Sequence, residues 1–418
     1  MTSARNRLQP LSGNRRLLFI CIALLAAACS PKVRPVTTQP KAEQPVVVKK
    51  EAEKVIAKPV AALRTTTIAM LLPFELDNLA PGAQYTSTSI THADLSLDYY
   101  QGFKLALDSL AGKGYNFKLQ LFDTKDQTSE AVSLGYNATI RSSNLVIGPV
   151  FPDDMHAFAD ILSGPPKLIV SPLSPASPAS IKNANLVTVA TPLEYHARAA
   201  AQYIDDRYKP KKIFILKSGF SDENMYIGPF KKAIDSITND RAKIIAPVIQ
   251  HGQLNGLVPQ LSATEENIFV IAATDQTFLN ATLHSLDSLS KKYKITLFGH
   301  PSWAKFSYLK AGMLQDMKTH ITSTDRVDYK SPAVTDFIKL YRKTYHMEPT
   351  HFAMMGFDEG MYFGGLFAEG PDVIKAPDKT DFNGLLNKYH FVKKPGLGWI
   401  NTHVNILQYD NSELKQVE

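Results

Sequence analysis

Cysteine is nearly absent from this chain of 418 residues, which has only Cys21 and Cys29. Long hydrophobic runs are also missing, because no stretch reaches the roughly 18 to 20 apolar residues that a membrane-spanning helix needs. Catalytic signatures are missing as well: G-x-S-x-G, the P-loop, G-x-G-x-x-G and H-E-x-x-H do not occur. Beyond residue 29 these absences exclude a disulfide framework and a thiol nucleophile, and we expect no enzyme activity.

Histidine does not supply a metal site in place of the missing cysteines. The 11 histidines are scattered along the chain. His346 and His351 are separated by Pro349, and their spacing does not place both rings on one helix face. We therefore predict no metal site and no cofactor.

Both cysteines lie in an N-terminal segment that is typical of a bacterial lipoprotein. Basic residues without any acid precede the apolar run Leu17–Ala28, which is too short to span a bilayer but fits a signal peptide. The end of this run is similar to a lipobox, with Leu25 one place early. We predict a signal peptide over residues 1–28 and lipidation of Cys29. The alternative is an ordinary buried cysteine in a short anchor helix.

The residues that follow Cys29 predict a tether. Residues 30–65 contain five prolines, eight basic and three acidic residues, and no glycine or aromatic residue. Such a segment cannot bury enough apolar surface to fold. Its charge suits anionic lipid or wall polymer, although a merely solvated linker explains it equally well. Ser30 is typical of sorting to the outer membrane, so we expect a periplasm-facing protein with no nucleic-acid partner.

From residue 66 onward, short apolar runs alternate with segments of helical period. The run Thr67–Pro73 reads as a buried strand, and Leu97–Gly112 as a helix. The same rhythm restarts at Lys211–Ser218. Strands that alternate with helices predict parallel sheets covered on both faces. The fold class is therefore α/β, with two doubly wound parallel-sheet lobes.

In open α/β sheets, ligands bind beyond the carboxyl ends of the strands. This places a ligand cleft between the lobes, and for each residue there a plain turn or helix cap is the competing interpretation. The candidates for the cleft are Phe74, Asp123, Gly148, Pro149, Phe151, Ser171, Ser174, Ser218, Phe220, Thr274, Asp275, His300 and Trp303.

Three other local patterns lead to further expectations. The polar segment Glu75–Asp94 reads as a long loop that either covers the cleft mouth or is simply mobile. Asp126 or Thr128 would cap a helix. The glycines at positions 356, 360 and 364 predict a soluble helix packed closely on a sheet, because acidic residues interrupt the repeat.

The order of these elements resembles that of the type 1 periplasmic binding proteins. An Ile-Gly-Pro turn follows the third strand, and a Ser-Pro turn follows the fourth. A late helix with Phe337, Tyr341 and Tyr345 precedes a Gly-Phe-Asp helix at Gly356. The resemblance implies three crossings between the lobes. It places residues 66–190 and 328–395 in lobe 1, and residues 191–327 and 396–418 in lobe 2. The implied hinge residues are Ala190, Thr191, Thr324 and Asp325.

Relatives within this resemblance form two groups, the amino-acid-binding proteins of ATP-driven importers and outer-membrane lipoproteins that activate a penicillin-binding protein. The first group implies a small ligand such as an amino acid, a peptide or a wall fragment. Ser171 and Ser174 would contact it, Asp275 would accept an ammonium group, and Phe151 or Trp303 would form an aromatic wall. The stretch 150–153 lacks the serine with which amino-acid binders hold a carboxylate. The alternative is an envelope scaffold that contacts a peptidoglycan synthase or a transporter.

Overall fold

The computed structural model describes residues 65–79, 82, 86–162, 167–368 and 376–418. The predicted signal peptide, the lipidation site Cys29 and the tether lie outside the described residues. Residues 61–418 form one compact unit. None of the helices among the described residues is long and apolar enough to cross a membrane.

Seven strands form the first sheet in the order β13-β14-β5-β4-β3-β1-β2. β14 runs parallel to β5, and β13 forms an antiparallel hairpin with β14. The strands are β1 (Thr66–Leu72), β2 (Phe117–Asp123), β3 (Leu145–Ile147), β4 (Leu168–Ser171), β5 (Leu186–Thr188), β13 (Phe391–Lys394) and β14 (Gly398–Asn401).

A second seven-stranded sheet has the order β16-β15-β10-β9-β8-β6-β7. Here β15 is antiparallel to β10. The strands are β6 (Lys212–Ile215), β7 (Lys243–Ile245), β8 (Asn267–Ile271), β9 (Ile295–Gly299), β10 (His320–Ser323), β15 (Asn405–Asp410) and β16 (Glu413–Gln416). A small hairpin of β11 (Phe382–Asn383) and β12 (Lys388–Tyr389) stands apart.

Helices cover both faces of each sheet, and the predicted α/β class with two lobes is confirmed. The helices are α1 (Ser87–Ala111), α2 (Thr128–Gly135), α3 (Ala138–Ser142), α4 (Pro152–Ile161), α5 (Leu193–Tyr208), α6 (Asn224–Thr238), α7 (Gln276–Ser290), α8 (Ala311–Asp316), α9 (Pro332–Tyr345) and α10 (His351–Leu366).

The central strands are apolar throughout because both of their faces are buried. In β1, Ile68, Met70 and Leu72 pack beneath α1 and α10. The intervening Ala69 and Leu71 pack on the opposite side, against α2, α3 and α4. β8 divides in the same way between two core clusters of the second lobe. The continuous apolar runs in the sequence therefore mark strands between two helical layers.

The glycine repeat was expected to pack against a sheet, but it packs against another helix. A Cβ atom on Gly356 would lie 2.0 Å from the carbonyl oxygen of Tyr99 in α1, and one on Gly360 would lie 2.6 Å from the Ala106 side chain. On the facing helix, a Cβ on Gly102 would lie 1.8 Å from the carbonyl oxygen of Ala353. The missing side chains therefore let α1 and α10 approach each other closely.

The loop predicted over residues 75–94 is shorter in the structure, because a helix begins at Ser87. Thr86 caps the start of α1 by accepting a hydrogen bond from the Ser89 N–H at 3.0 Å. Residues 87–94 are consequently the first two turns of a long helix. This extension places His92 on an ordered element at the edge of the first sheet.

The chain passes between the sheets in three short stretches, namely 189–192, 324–331 and 402–404. The predicted lobe boundary at residue 395 needs a correction, because β14 still belongs to the first sheet. Trp399 pairs with Val187, and Ile400 with Thr188. The third passage therefore begins after Asn401. The predicted hinge residues Ala190, Thr191, Thr324 and Asp325 lie in the first two passages.

Candidate functional site

The carboxyl edges of the two sheets lie beside the same crossings. β5 leaves the first sheet at Thr188, and α5 begins the second lobe at Leu193. In a parallel α/β lobe the helix runs away from this point and β6 runs back toward it. The strands of both lobes therefore end near the passages, where α/β folds place their ligands.

In the first lobe, the turn after β3 shapes the edge and offers few polar groups. Gly148 has φ of +87°, and a Cβ there would lie 2.1 Å from the carbonyl oxygen of Leu71. The peptide bond to Pro149 is cis, and both residues are buried. Phe74 and Phe151 are partly buried and pack against the core of this lobe. These four candidates contribute a mainly apolar wall.

Asp123 organises the loops at this edge. Its Oδ1 accepts hydrogen bonds from the backbone N–H groups of Glu75 at 3.0 Å and Lys125 at 2.9 Å, and its Oδ2 accepts one from Leu76 at 2.8 Å. With three backbone donors, this carboxylate holds the segment after β1 against the segment after β2. Asp123 therefore positions its neighbours.

Those neighbours form a polar cluster that the sequence did not predict. His92 Nδ1 lies 2.7 Å from Glu75 Oε1 and 3.5 Å from Asp126 Oδ2. The imidazole also lies against the ring of Phe151, with the two centroids 4.8 Å apart. Asp126 or Thr128 was expected to cap α2, but the cap position belongs to Gln127, which makes no side-chain cap. These three side chains could hold a metal ion.

The electrostatics of this cluster follow from its partial burial. Burial by itself would raise the pKa of Glu75, but hydrogen bonds with Ser89, His92 and Asn78 lower it below its usual value. Burial raises the pKa of Asp126; the charge of His92 opposes this shift, and that of Glu75 adds to it. The surroundings therefore favour the charged form of Glu75 and disfavour that of Asp126, each relative to its ordinary value.

The two serines after β4 are largely buried. Ser171 ends the strand, and the Ser174 hydroxyl accepts a hydrogen bond from the Ala176 N–H at 3.2 Å, which fixes the Ser-Pro turn. Their assignment as ligand contacts stays a prediction.

In the second lobe, Glu223 takes up the polar groups of the loop after β6. Its Oε2 accepts hydrogen bonds from the Ser218 N–H at 2.9 Å and from the Ser218 hydroxyl at 3.0 Å. Its Oε1 accepts one from the Gly219 N–H at 3.1 Å. Phe220 projects from this loop with 58% of its surface exposed. Ser218 is thus engaged within the lobe, whereas Phe220 is free at the edge.

The remaining candidates of the second lobe serve local structure. Asp275 caps α7 by accepting a hydrogen bond from the Phe278 N–H at 2.7 Å. The Thr274 hydroxyl donates to Asp222 Oδ2 at 3.3 Å. His300 caps the short helix after β9, and burial lowers its pKa to about 4.

Trp303 does not form the aromatic wall that was predicted for Phe151 or Trp303. Only 1% of its surface is exposed, and its indole N–H donates to the carbonyl oxygen of Ala273 at 3.0 Å. The ring occupies the space where Gly299 has no side chain. Trp303 therefore belongs to the core of the second lobe.

Hydrogen bonds link the crossing segments to each other and to the first lobe. The Thr191 hydroxyl donates to the carbonyl oxygen of His403 at 3.0 Å, and Asn401 Nδ2 donates to that of Val189 at 3.1 Å. Asp325 pairs with His351 at 3.0 Å. The hydrogen bond with His351 lowers the pKa of Asp325 to about 2, against the opposing effect of burial.

Solved structures resemble this arrangement. An ABC transporter substrate-binding protein from Desulfitobacterium hafniense in complex with Leu has 17% identity and a TM-score of 0.53, over 85% of this chain and 100% of that protein. A branched chain amino acid ABC transporter periplasmic ligand-binding protein from Burkholderia xenovorans has 11% identity and a TM-score of 0.57, over 84% and 94%. The chain has the type 1 periplasmic binding protein fold.

The same fold occurs in full-length LpoA from Haemophilus influenzae, with 15% identity and a TM-score of 0.56, over 85% of this chain and 59% of that protein. No protein-family model and no curated protein matches the chain. The type 1 periplasmic binding protein fold therefore rests on the architecture, and the first two of these structures are described as substrate- or ligand-binding proteins.

Proposed function

We propose that this protein is a non-catalytic lipoprotein of the cell envelope whose two lobes bind a small polar ligand in the cleft between them. The observation that carries this proposal is the position of the three crossings. They lie beside the carboxyl edges of both sheets, where open α/β folds bind ligands. Short passages of this kind allow the lobes to close about a hinge.

The side chains at the edges limit the chemistry of the ligand. Val150, Phe151 and Pro152 offer no hydroxyl for a carboxylate. The first lobe instead presents the partly exposed carboxylate of Asp126, which favours a ligand with amino or other hydrogen-bond-donating groups. An amino acid, a short peptide or an amino-bearing peptidoglycan fragment has this character.

A second candidate function is that of an envelope scaffold, anchored by Cys29 to the outer membrane. One observation favours it: Ser218, Asp275 and Trp303 are engaged in bonds within the second lobe. Such a lobe grips a small ligand poorly but remains a rigid surface. The partner would then be a peptidoglycan synthase or a transporter, held within reach of the tether.

Thermal unfolding of residues 61–418 separates these functions. Free amino acids, short peptides and muropeptides are added in turn. A ligand at 100 times its dissociation constant adds about 2.7 kcal/mol, which corresponds to a few degrees at this size. Thr274→Tyr, which places a ring at the cleft edge of β8, should abolish the shift, and Tyr136→Ala on an exposed position should preserve it. No shift with any class contradicts ligand trapping and supports the scaffold.

A further inference from the structure

Three segments that are distant in the sequence bring an imidazole and two carboxylates together at the edge of the first sheet. Glu75 follows β1, Asp126 lies in the loop after β2, and His92 lies in the second turn of α1. Their ligand atoms all lie within 4.8 Å of one another. No two of these residues are neighbours in the chain, so the fold itself assembles the cluster.

The spacing suits a small cation with short bonds. Donor atoms in a tetrahedral zinc site lie roughly 3.3 Å apart, because the bonds are about 2.0 to 2.2 Å long. The observed separations from His92 Nδ1 are 2.7 Å to Glu75 Oε1 and 3.5 Å to Asp126 Oδ2. Small side-chain adjustments therefore accommodate an ion between the three groups.

Neighbouring groups orient two of the three ligands. Asn78 Nδ2 donates to Glu75 Oε2 at 2.7 Å, so Oε1 is the oxygen directed at His92. The Phe151 ring lies 4.8 Å from the imidazole and restricts its rotation. Metal sites commonly hold their carboxylates and imidazoles by outer contacts of this kind.

The local charge favours a cation. The nearby Lys125 ammonium is directed to Asp77, at 2.8 Å, and does not neutralise the cluster. The buried carboxylate of Asp154 interacts electrostatically with Asp126. Thr128 donates to its Oδ1 at 2.9 Å, and its Oδ2 has no hydrogen-bond partner among the described residues. Within the part of the chain that the structure describes, no ammonium or guanidinium group forms an ion pair with Glu75, Asp126 or Asp154, so their negative charge favours a cation.

We propose that Glu75, His92 and Asp126 form a binding site for a divalent transition-metal ion of the zinc type. One nitrogen and two oxygen donors suit Zn²⁺, whereas Ca²⁺ and Mg²⁺ prefer six or more oxygen ligands. The side chains of Glu75 and His92 are 8% and 17% exposed, and that of Asp126 is 40% exposed. The open coordination position therefore lies on the Asp126 side and takes water or a group of a bound molecule.

The test uses the full chain with Cys21→Ser and Cys29→Ser, which removes both thiols as competing zinc ligands. Zn²⁺ alone is titrated by calorimetry, with Mg²⁺ and Ca²⁺ in parallel. We expect one Zn²⁺ per chain, bound at least about tenfold more tightly than Mg²⁺ or Ca²⁺. His92→Gln and Asp126→Asn should each weaken Zn²⁺ binding at least about tenfold.

His390→Gln is the matched control, because His390 Nδ1 also lies beside a carboxylate, 2.9 Å from Asp381, but without a third ligand among the described residues. It should leave Zn²⁺ binding unchanged. Circular dichroism checks that each variant folds. In the thiol-free chain that retains His92, Zn²⁺ must shift the ¹⁵N NMR resonances of the His92 imidazole. Absence of Zn²⁺ binding, or binding that leaves His92 unshifted, overturns the proposal. The organic-ligand test above contains no metal, so the two proposals fail separately.

Discussion

The two lobes share one topology but differ at the carboxyl edges of their sheets. In each sheet the first five strands along the chain follow the same order, and a hairpin extends the same side. The hairpin strand next to the centre is parallel in the first sheet, β14 on β5, and antiparallel in the second, β15 on β10. The common order places the carboxyl ends of both sets of strands at equivalent positions.

The side chains at those ends perform different tasks. In the first lobe, Asp123 supports the loops and leaves Glu75, His92 and Asp126 grouped at the edge. In the second lobe, Glu223 takes up the hydrogen-bonding groups of its loop, and Trp303 fills the core. Topology therefore determines where a site can form. The local hydrogen bonds determine which lobe has polar side chains available to bind a ligand or an ion.

The largest difference should appear when the edge aromatics are truncated. Trp303→Ala removes a fully buried ring from the second lobe and should lower the free energy of unfolding by about 3 to 5 kcal/mol. Phe151→Ala removes a partly buried ring from the first lobe and should cost about 1 kcal/mol. Urea unfolding measures both. Equal losses would mean that the two edges are equally integrated into their cores.

The close helix crossing of the first lobe should be nearly as sensitive. Gly356→Ala places a methyl group 2.0 Å from the Tyr99 carbonyl oxygen and should cost about 3 kcal/mol. Gly365→Ala in the same helix and Gly228→Ala in α6 of the second lobe meet nothing within 4 Å. Each control should gain about 0.5 to 1 kcal/mol from helix propensity. A tolerated Gly356→Ala, measured by urea unfolding, would contradict the close crossing.

Acid should destabilise the second lobe through its buried histidines. Burial lowers the pKa of His320 from 6.5 to about 4, and its Nδ1 has no hydrogen-bond partner among the described residues. Between these values the unfolded chain binds more protons than the folded one, so stability falls as the pH drops from about 6.5 to about 4. Between pH 7 and pH 5 this amounts to about 2 kcal/mol for one histidine.

His320→Phe keeps a ring stacked on Phe298 and removes the titrating group. The loss of stability between pH 7 and pH 5, measured by urea unfolding, should therefore shrink by about 2 kcal/mol. Replacement of the exposed His284 by Phe is the control and should leave the loss unchanged. An unchanged loss in His320→Phe would mean that this imidazole has the same pKa in the folded and the unfolded chain.

The smallest effect should come from the crossing between the lobes. Asp325→Asn removes the charged partner of His351 and should cost about 1 kcal/mol near neutral pH. Because the pKa of Asp325 is lowered to about 2, the difference from the unmutated chain should shrink as the pH falls from about 4 to about 2. Asp381→Asn, at the exposed pair with His390, should change little in the same measurement. A cost that is as large at pH 2 as at neutral pH would exclude the charge as its cause.

Much of the fold could be predicted because it depends on local pattern. Continuous apolar runs such as 67–72 predicted strands buried on both faces, and the alternation with helices predicted the parallel sheets. The helix start at Ser87 was missed, since a polar first turn has no apolar period and only the Thr86 cap marks it. Boundaries without a periodic signal, such as the end of the first sheet at Asn401, were misplaced for the same reason.

The candidate site was harder to predict than the fold. Strand ends were correctly taken as the edge of the sheet, but a residue type there does not show whether its polar atoms are already bonded. From the sequence, Asp275 was predicted to accept an ammonium group, but its Oδ1 accepts a hydrogen bond from the Phe278 N–H. His92 gave no signal, because it lies within a helix, 17 residues after its partner Glu75.

The sequence by itself determined the order of strands and helices and the doubly wound α/β class, because hydrophobic period and chain connectivity are local properties. The tertiary structure alone decided which side chains meet. Glu75, His92 and Asp126 come together because three different connections end at one sheet edge. Trp303 is withdrawn into the core because Gly299 leaves room for its ring, a matter of packing that no spacing along the chain reveals.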